Sequence, residues 1–204
     1  MQEIIKDLLT KEANAIAGIP IDNSYEKAIN LIFQKVHEKG GKLVASGMGK
    51  AGQIAINIAT TFSSTGTPAA FLHPADAQHG DLGVIQPDDV LLIISNSGKT
   101  REIIELYDLA KDLHQNDLPV ILITGNPEGP LATIADVTIF TGNPNEVCLL
   151  NLTPTTSTTV MTVIGDVLVV LMMEKIGFTS EDYSRRHHGG YLGEKSRANS
   201  KKIL

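Results

Sequence analysis

Five short apolar runs alternate with longer segments between residues 42 and 140. In chain order the runs are KLVAS, AAFLH, VLLIIS, VILIT and VTIF, and helix-like stretches such as QIAINIATTFSSTG and REIIELYDLAKDLHQ lie between them. Runs that are apolar on both faces are typical of strands in a parallel sheet with helices on each side. The alternation therefore predicts an α/β fold, a three-layer α-β-α sandwich around a central parallel sheet.

The sequence on either side of this core predicts helices. Apolar residues at helical spacing mark two segments within residues 1–40, which the breaker GIPIDNS separates, and Ser24 is placed to cap the second. The stretch TTVMTVIGDVLVVLMMEKIG is too long for a strand and predicts a buried helix that ends at Gly177. We expect one domain over residues 1–204, with helices in 1–40, the α/β core in 41–177 and a polar, irregular tail in 178–204.

Charge and composition exclude several classes of protein. The 204 residues carry a formal net charge of -6, and the basic residues form no stripe that could follow a nucleic-acid backbone. The single cysteine, Cys148, can form no internal disulfide, and the first residues lack a signal-peptide pattern. We expect no apolar run to reach the roughly 20 residues of a membrane span. The sequence thus predicts a cytoplasmic protein with neither a membrane nor a nucleic acid as partner.

Glycine and hydroxyl residues are concentrated where predicted strands meet helices. SGMGKAG, PADAQHGDLG and SNSGKT follow the first three runs, and TPTTSTT precedes the last helix. In a parallel sheet the ligand site lies beyond the carboxyl ends of the strands, where helix amino termini present free N–H groups. For SNSGKT alone, a simple helix cap is an equally good explanation. Three such helix starts at one sheet edge instead favour a phosphate monoester.

The segment SGMGKAG matches the spacing of a dinucleotide-binding fingerprint, with Gly47, Gly49 and Gly52 at G-x-G-x-x-G. That fingerprint also expects an acid at the end of the second strand, about 20 residues on. Here AAFLH ends in His73 instead. The segment lacks the longer spacing of a Walker loop as well. Lys50 has no role in a nicotinamide site, but a cation there would suit a sugar phosphate or its carbonyl.

Five longer strings together resemble one family. They are ASGMGKAG, HPADAQHGDLG, ISNSGKTREI, TPTTSTTVMTVIGD and HHGGYLG, and together they are similar to the sugar isomerase (SIS) domain and specifically to the arabinose 5-phosphate isomerases. The resemblance runs from about Asp7 to Arg197. The resemblance implies a short form without CBS domains that interconverts D-ribulose 5-phosphate and D-arabinose 5-phosphate through an enediol. It also implies a homotetramer, no required cofactor, and a product used for lipopolysaccharide, through the sugar Kdo, or for capsule.

The resemblance also implies the roles of individual residues. It assigns catalysis to Lys50, Glu102, Glu146 and His187, because Glu and His can move a proton between C1 and C2 and Lys can stabilise an oxyanion. Lys50 as a solvated lysine and Glu102 as a helix-dipole partner remain alternatives. Substrate contacts are expected from Ser46, Gly47, Gly66, Thr67, His79, Ser95, Asn96, Ser97, Thr100, Thr155 and His188.

Two positions depart from the family pattern, and a third is a candidate metal ligand. His188 stands where the family usually has proline, which leaves open which of His187 and His188 faces the substrate. Lys99 stands where an acid is common, and we expect it to face solvent. The resemblance implies that His73 can take part in binding an inhibitory zinc ion, and the short loop with His73, Asp76, His79 and Asp81 resembles a transition-metal site in composition. A strand-end histidine bonded to backbone is the alternative for His73.

Two other functions compete with this isomerase. A sugar-phosphate-sensing SIS module would carry a fused DNA-binding segment or lack the Lys, Glu and His set, and neither is seen in the sequence. An isomerase of another sugar phosphate, such as a hexose phosphate, has loops of the same chemistry. Both are kept as alternatives.

Overall fold

The central sheet has five parallel strands in the order β2-β1-β3-β4-β5. A computed structural model describes residues 1–115 and 117–200. The strands are β1 Leu43–Gly47, β2 Ala69–Phe71, β3 Val90–Ile94, β4 Val120–Thr124 and β5 Val137–Phe140. All five predicted strands and the parallel sheet are confirmed. The chain runs from β1 to the edge strand β2 and then crosses to β3, so the direction of winding reverses between β1 and β3.

Helices cover both faces of the sheet, which confirms the predicted three layers. The helices are α1 Gln2–Ala17, α2 Ser24–Ile32, α3 Lys50–Ser64, α4 Pro74–Ala77, α5 Arg101–Leu113, α6 Pro130–Ile134, α7 Thr156–Lys175, α8 Ser180–Arg186 and α9 Gly190–Ser200. In β3, Leu92 and Ile94 face a core that contains residues of α2, α3 and α7, while Leu91 and Ile93 face a second core with residues of α5 and α6. This alternation follows from the two-residue period of a strand.

The long helix α7 was predicted to be buried, and only one side of it is. Ile164 and Leu168 are fully covered, whereas Val167 and Val170 are 39% and 61% exposed. Within the described residues α7 is also the one helix long and apolar enough to cross a membrane, contrary to our expectation that no run reaches that length. Half of its apolar window is buried inside the domain, where Gly165 lets it pack closely on Ile58 of α3. Helix α7 is therefore packed as a core helix of the domain.

Two local predictions were wrong. The tail was expected to be irregular, yet it forms α8 and α9, because Thr179 and Asp182 make a reciprocal capping box that starts α8. Ser24 is not a cap: it is the first residue of α2, and its backbone N–H donates to the Asp22 carboxylate at 2.8 Å. Residues 201–204 of the predicted tail lie outside the described residues.

Candidate active site

A cleft of about 560 Å³ lies at the carboxyl edge of the sheet, next to the point where the winding reverses between β1 and β3. In sheets of this kind ligands bind at that point. The cleft is bounded by the starts of α3, α5 and α7 and by the segment 143–154. Of the residues predicted for the site, it brings together Lys50, Ser95, Asn96, Ser97, Thr100 and Glu146.

The segment between β3 and α5 forms the hydroxyl-rich wall of the cleft. Ser95 and Thr100 lie with their hydroxyl oxygens 2.9 Å apart, and Ser97 is exposed at the turn. Gly98 has φ +65°, a left-handed conformation that favours glycine. The thirteen-residue α5 begins immediately afterwards, so its free N–H groups and positive dipole end lie beside these hydroxyls. This is the arrangement expected of a phosphate site.

A second loop, after β4, holds that wall in place. Asn126 donates its side-chain amide to the carbonyl of Ser97 at 3.0 Å, and the backbone N–H of Gly125 donates to the carbonyl of Asn96 at 3.1 Å. A Cβ added at Gly125 would lie 2.5 Å from Oδ1 of Asn96, so the two loops are in close contact. Sequence reasoning missed this support, because the loop after β4 carries no phosphate-binding pattern.

The glycines of SGMGKAG are used for a tight turn from β1 into α3. A Cβ added at Gly47 would lie 2.8 Å from the carbonyl of Ala51, and one at Gly52 would lie 2.7 Å from the carbonyl of Gly47. The turn makes Lys50 the first residue of α3, exposed and facing the cleft. Ser46 is fully buried and donates to the carbonyl of Leu72 at 2.7 Å. Ser46 and Gly47 therefore shape the turn and do not line the cleft, so their role as substrate contacts stays a prediction.

Glu146 lies across the cleft, at the amino terminus of α7. Its Oε2 accepts from the backbone N–H and hydroxyl of Thr155 at 2.7 and 2.9 Å and from the N–H of Ser157 at 3.2 Å. Its Oε1 accepts from the hydroxyl of Ser157. Thr155 thus binds this carboxylate, and its predicted contact with substrate stays a prediction. The carboxylate thus takes the anion position at the start of a twenty-residue helix.

These contacts set the charge of Glu146. Partial burial alone would raise its pKa, but the hydrogen bonds from Ser157 and Thr155 together outweigh that effect and lower the pKa below the ordinary 4.5. Hydrogen bonds to the charged form stabilise it. Glu146 is therefore ionised at neutral pH and is placed as a base or an electrostatic anchor.

Several predicted residues lie away from the cleft of their own chain. Glu102 is in the first turn of α5, half-buried and outside the lining, and His79 is exposed after α4. Gly66 and Thr67 precede β2 and so lie at the opposite edge of the sheet, where Thr67 pairs with His37 at 3.0 Å. Gly66 and Thr67 therefore do not line the cleft of their own chain, and their contact with substrate stays a prediction.

His73 caps the short helix α4. Its Nδ1 accepts from the backbone N–H of Ala75 at 3.3 Å and lies 3.9 Å from the Asp76 carboxylate. Across the described part of the chain, no three His, Cys, Asp or Glu side chains are grouped so as to hold a metal ion. The residues of one chain therefore do not fit a zinc site, and the alternative of a strand-end histidine bonded to backbone describes His73.

His187 is held in a defined orientation at the end of α8. Its ring stacks on Tyr183, with centroids 3.8 Å apart and planes 8° apart, and its Nδ1 pairs with the carbonyl of Tyr183 at 3.0 Å. A carbonyl only accepts, so Nδ1 carries the hydrogen and the neutral ring keeps its lone pair on Nε2. His188 is exposed. Of the two histidines, His187 is thus the one whose ring is held in place by contacts within the described part of the chain.

Helix α7 separates this histidine from the cleft of its own chain. Its twenty residues span about 30 Å, from the cleft to the opposite edge of the sheet. There the ring of Phe178 lies against Gly66, and ring contacts of 6.4 and 3.8 Å lead from Phe178 through Tyr183 to His187. His187 is therefore far from Glu146 of the same chain.

Other cleft-lining residues were not predicted. Ser157 and Thr158 belong to TPTTSTT, so the hydroxyl density of that string was a usable signal for both. The asparagines of the segment 143–154 follow no recognisable pattern, and their place became visible only in the fold. Among the unpredicted lining residues are Met48, Asn143, Asn145, Asn151, Ser157 and Thr158.

Comparison with known proteins agrees with this geometry. The profile of the SIS domain matches residues 35–171. The arabinose 5-phosphate isomerase KdsD of Salmonella typhi is 43% identical over 194 residues, which cover 95% of this chain. The chain spans 58% of the length of that curated relative.

Solved structures extend the likeness over nearly the whole chain. A proposed phosphosugar isomerase involved in capsule formation from Bacteroides fragilis is 63% identical, with a TM-score of 0.92 over 94% of this chain and 99% of that one. An Escherichia coli CFT073 protein in complex with arabinose 5-phosphate is 36% identical, with a TM-score of 0.80 over 91% of this chain and 96% of that one. The chain therefore belongs to the SIS domain family.

Proposed function

We propose that this chain is an aldose–ketose isomerase that interconverts D-ribulose 5-phosphate and D-arabinose 5-phosphate. The observation that carries the proposal is the cleft, which joins a hydroxyl-rich helix start to Lys50 and to the ionised Glu146. Relatives named arabinose 5-phosphate isomerase and a related structure with that sugar phosphate bound support the choice of sugar. The product would serve lipopolysaccharide synthesis, through Kdo, or capsule synthesis.

The phosphate would bind at the start of α5. Ser95, Ser97 and Thr100 offer hydroxyls there, and the helix supplies free N–H groups and a positive dipole end. A phosphate fixed at one end of a five-carbon chain places C1 and C2 at a set distance along the cleft. Binding energy from the phosphate then orients the reacting carbons, which is a large part of catalysis.

The reaction moves one proton between neighbouring carbons and one between their oxygens. In the ketose-to-aldose direction a base removes a proton from C1, and the electron pair forms the C1–C2 double bond while the π pair of the C2 carbonyl moves to its oxygen, which takes up a proton to give the enediol. The C1 hydroxyl then loses its proton and becomes the aldehyde carbonyl, while the C1–C2 pair takes up a proton at C2. Glu146 is the base available in the cleft, and Lys50 would stabilise the charge that develops on the oxygen. Electrons stay within the substrate, so the chemistry itself calls for no redox cofactor.

A complete site would draw on two copies of the chain. His187 is oriented by Tyr183 but is separated from its own cleft by the length of α7, so we assign it to the cleft of a neighbouring copy in a cytoplasmic homotetramer. Exposed apolar side chains on α1 and α7, Ile4, Leu9 and Val170 among them, are available for such contacts. Light scattering that gave a mass near the 21.9 kDa of one chain at micromolar concentration would contradict this assembly.

A direct assay tests the proposed activity. Purified protein is mixed with ribulose 5-phosphate and, separately, with fructose 6-phosphate, and formation of the aldose is followed. Turnover of the pentose phosphate in preference to the hexose phosphate supports the proposal, and Lys50→Ala should remove it. Preference for fructose 6-phosphate would indicate an isomerase of another sugar. Tight binding of arabinose 5-phosphate with no turnover of either substrate would indicate a sensing module.

A further inference from the structure

A carboxylate on the amino-terminal helix reaches the base of the active-site segment. Oε1 of Glu12 accepts a hydrogen bond from the hydroxyl of Thr156 at 2.9 Å, across 144 positions of sequence. Oε2 of Glu12 is buried and has no hydrogen-bond partner among residues 1–115 and 117–200. Leaving a buried carboxylate oxygen unpaired costs free energy, and such a group calls for an explanation. The burial is also unusual for this helix, since no residue of α1 is buried as a whole.

The hydroxyl of Thr156 links Glu12 to the residue that follows Glu146. Thr156 is 1% exposed, and its single hydroxyl hydrogen is donated to Glu12. The lone pairs of the same oxygen are then free to accept from the backbone N–H of Val147 at 3.1 Å. Glu12 thereby fixes the direction of the hydroxyl, and the hydroxyl fixes the backbone next to Glu146.

Three successive residues at the start of α7 therefore act on one short segment. Thr155 and Ser157 hold the side chain of Glu146, while Thr156, between them, holds the main chain at Val147. Within the described residues, Thr156 is the one of these three that also bonds to a residue of another helix, Glu12 of α1. Because Thr156 is buried, its hydroxyl donates to Glu12 and not to bulk solvent.

We propose that Glu12 is a positioning residue for Glu146. It does not line the cleft and acts through Thr156 and Val147, keeping the carboxylate of Glu146 at its place on the substrate-facing side. This rests on the proposed function, in which Glu146 takes the proton. The amino-terminal helix thus belongs to the catalytic apparatus, although it carries no motif.

Activity measurements test the role with matched variants. Glu12→Ala should lower kcat for ribulose 5-phosphate by about 10- to 100-fold, the effect of a small displacement of a catalytic group. KM should stay near the wild-type value, because the phosphate-binding loop at residues 95–100 is not involved. Glu12→Gln keeps a carbonyl acceptor and should restore most of kcat. Lys11→Ala, which breaks an exposed ion pair with Asp7 on the same helix, is the matched control and should match wild type.

A second readout does not depend on turnover. Hydrogen–deuterium exchange should rise in the segment 141–155 of Glu12→Ala, with the sheet unchanged, and Glu12→Gln should keep the wild-type pattern. Thr156→Val and Thr156→Ser test the same link from α7, with loss expected for Val and retention for Ser. If Glu12→Ala keeps the wild-type kcat and exchange, or raises exchange equally throughout the domain, the proposal is overturned. A wild-type protein without isomerase activity would refute the proposed function alone, and the exchange would still test the link.

Discussion

The hydroxyl of Ser157 donates a hydrogen bond to Oε1 of Glu146, and the backbone N–H of the same residue donates to Oε2 at 3.2 Å. The acid is thus held by the first turn of a helix that follows it by ten positions. Such contacts favour the charged form of the carboxylate. They fix the position of the proposed base and lower the pKa of its carboxyl.

Removing the hydroxyl of Ser157 should make Glu146 a weaker acid. In Ser157→Ala the carboxylate loses one of the donors that lower its pKa, so that pKa should rise. The acidic limb of the kcat/KM profile should then move to higher pH, because more of the base is protonated at a given pH. Thr162→Ala removes a hydroxyl that bonds within α7 one turn farther on and should leave the limb in place. A limb that stays in place in Ser157→Ala, or moves to lower pH, would contradict the assignment.

The same carboxylate should contribute to stability in a pH-dependent way. The pKa of Glu146 is depressed in the folded state, so its contribution is fully present above the ordinary 4.5 and is lost as pH falls through the folded-state value. Glu146→Gln has no such titration. Between pH 6 and pH 3 the free energy of unfolding of wild type should therefore fall more than that of Glu146→Gln. Chemical denaturation across this range measures the difference, and parallel curves would show that the depressed pKa is absent.

Ser97 should matter for binding of the phosphate. Its exposed hydroxyl lies at the turn before α5, and loss of a charge-assisted hydrogen bond costs about 1.5–3 kcal/mol, or roughly 10- to 100-fold in affinity. We expect Ser97→Ala to raise KM for ribulose 5-phosphate by about that factor while kcat changes little. Thr133→Ala, which removes a hydroxyl on α6 bonded to the carbonyl of Pro130, serves as control. An unchanged KM would remove Ser97 from the site.

The parts of this site that sequence predicted are those set by local patterns. The five strands follow from short apolar runs, and the positions of Lys50 and Ser97 follow from loops at the ends of those strands. The substrate contact of Gly66 and Thr67 stays a prediction, because both precede β2 and so lie at the edge of the parallel sheet opposite the cleft of their own chain. Glu12 was invisible because its partner, Thr156, lies 144 positions away.

The tail is a second region whose structure the sequence pattern did not predict. Polar composition suggested irregular structure, yet one reciprocal cap between Thr179 and Asp182 is enough to start α8. The orientation of His187 then follows from Tyr183, four residues earlier on that helix. Sequence identified the histidine, but only the helix shows which ring nitrogen is free.

Tyr183 should act on catalysis through His187. Tyr183→Phe keeps the stacked ring and the backbone carbonyl, so kcat should stay near wild type. Tyr183→Leu removes the stack and should lower kcat. The tautomer can be followed directly by nitrogen NMR of the His187 ring, in which Nδ1 should carry the hydrogen in wild type. Equal activity of Tyr183→Leu and Tyr183→Phe would show that the stack has no part in catalysis.

The separation of His187 from its own cleft leads to a test by subunit mixing. His187→Ala should lower kcat by about 10²–10⁴-fold, as for loss of an acid–base group, whereas His188→Ala should change it little. Lys50→Ala chains keep an intact tail, and His187→Ala chains keep an intact cleft. If the tail of one chain completes the cleft of another, random mixing in equal amounts gives about one intact site in four. Activity should therefore reappear when the two inactive variants exchange subunits. No recovery, despite exchange proven by mass-tagged subunits, would place His187 outside a shared site.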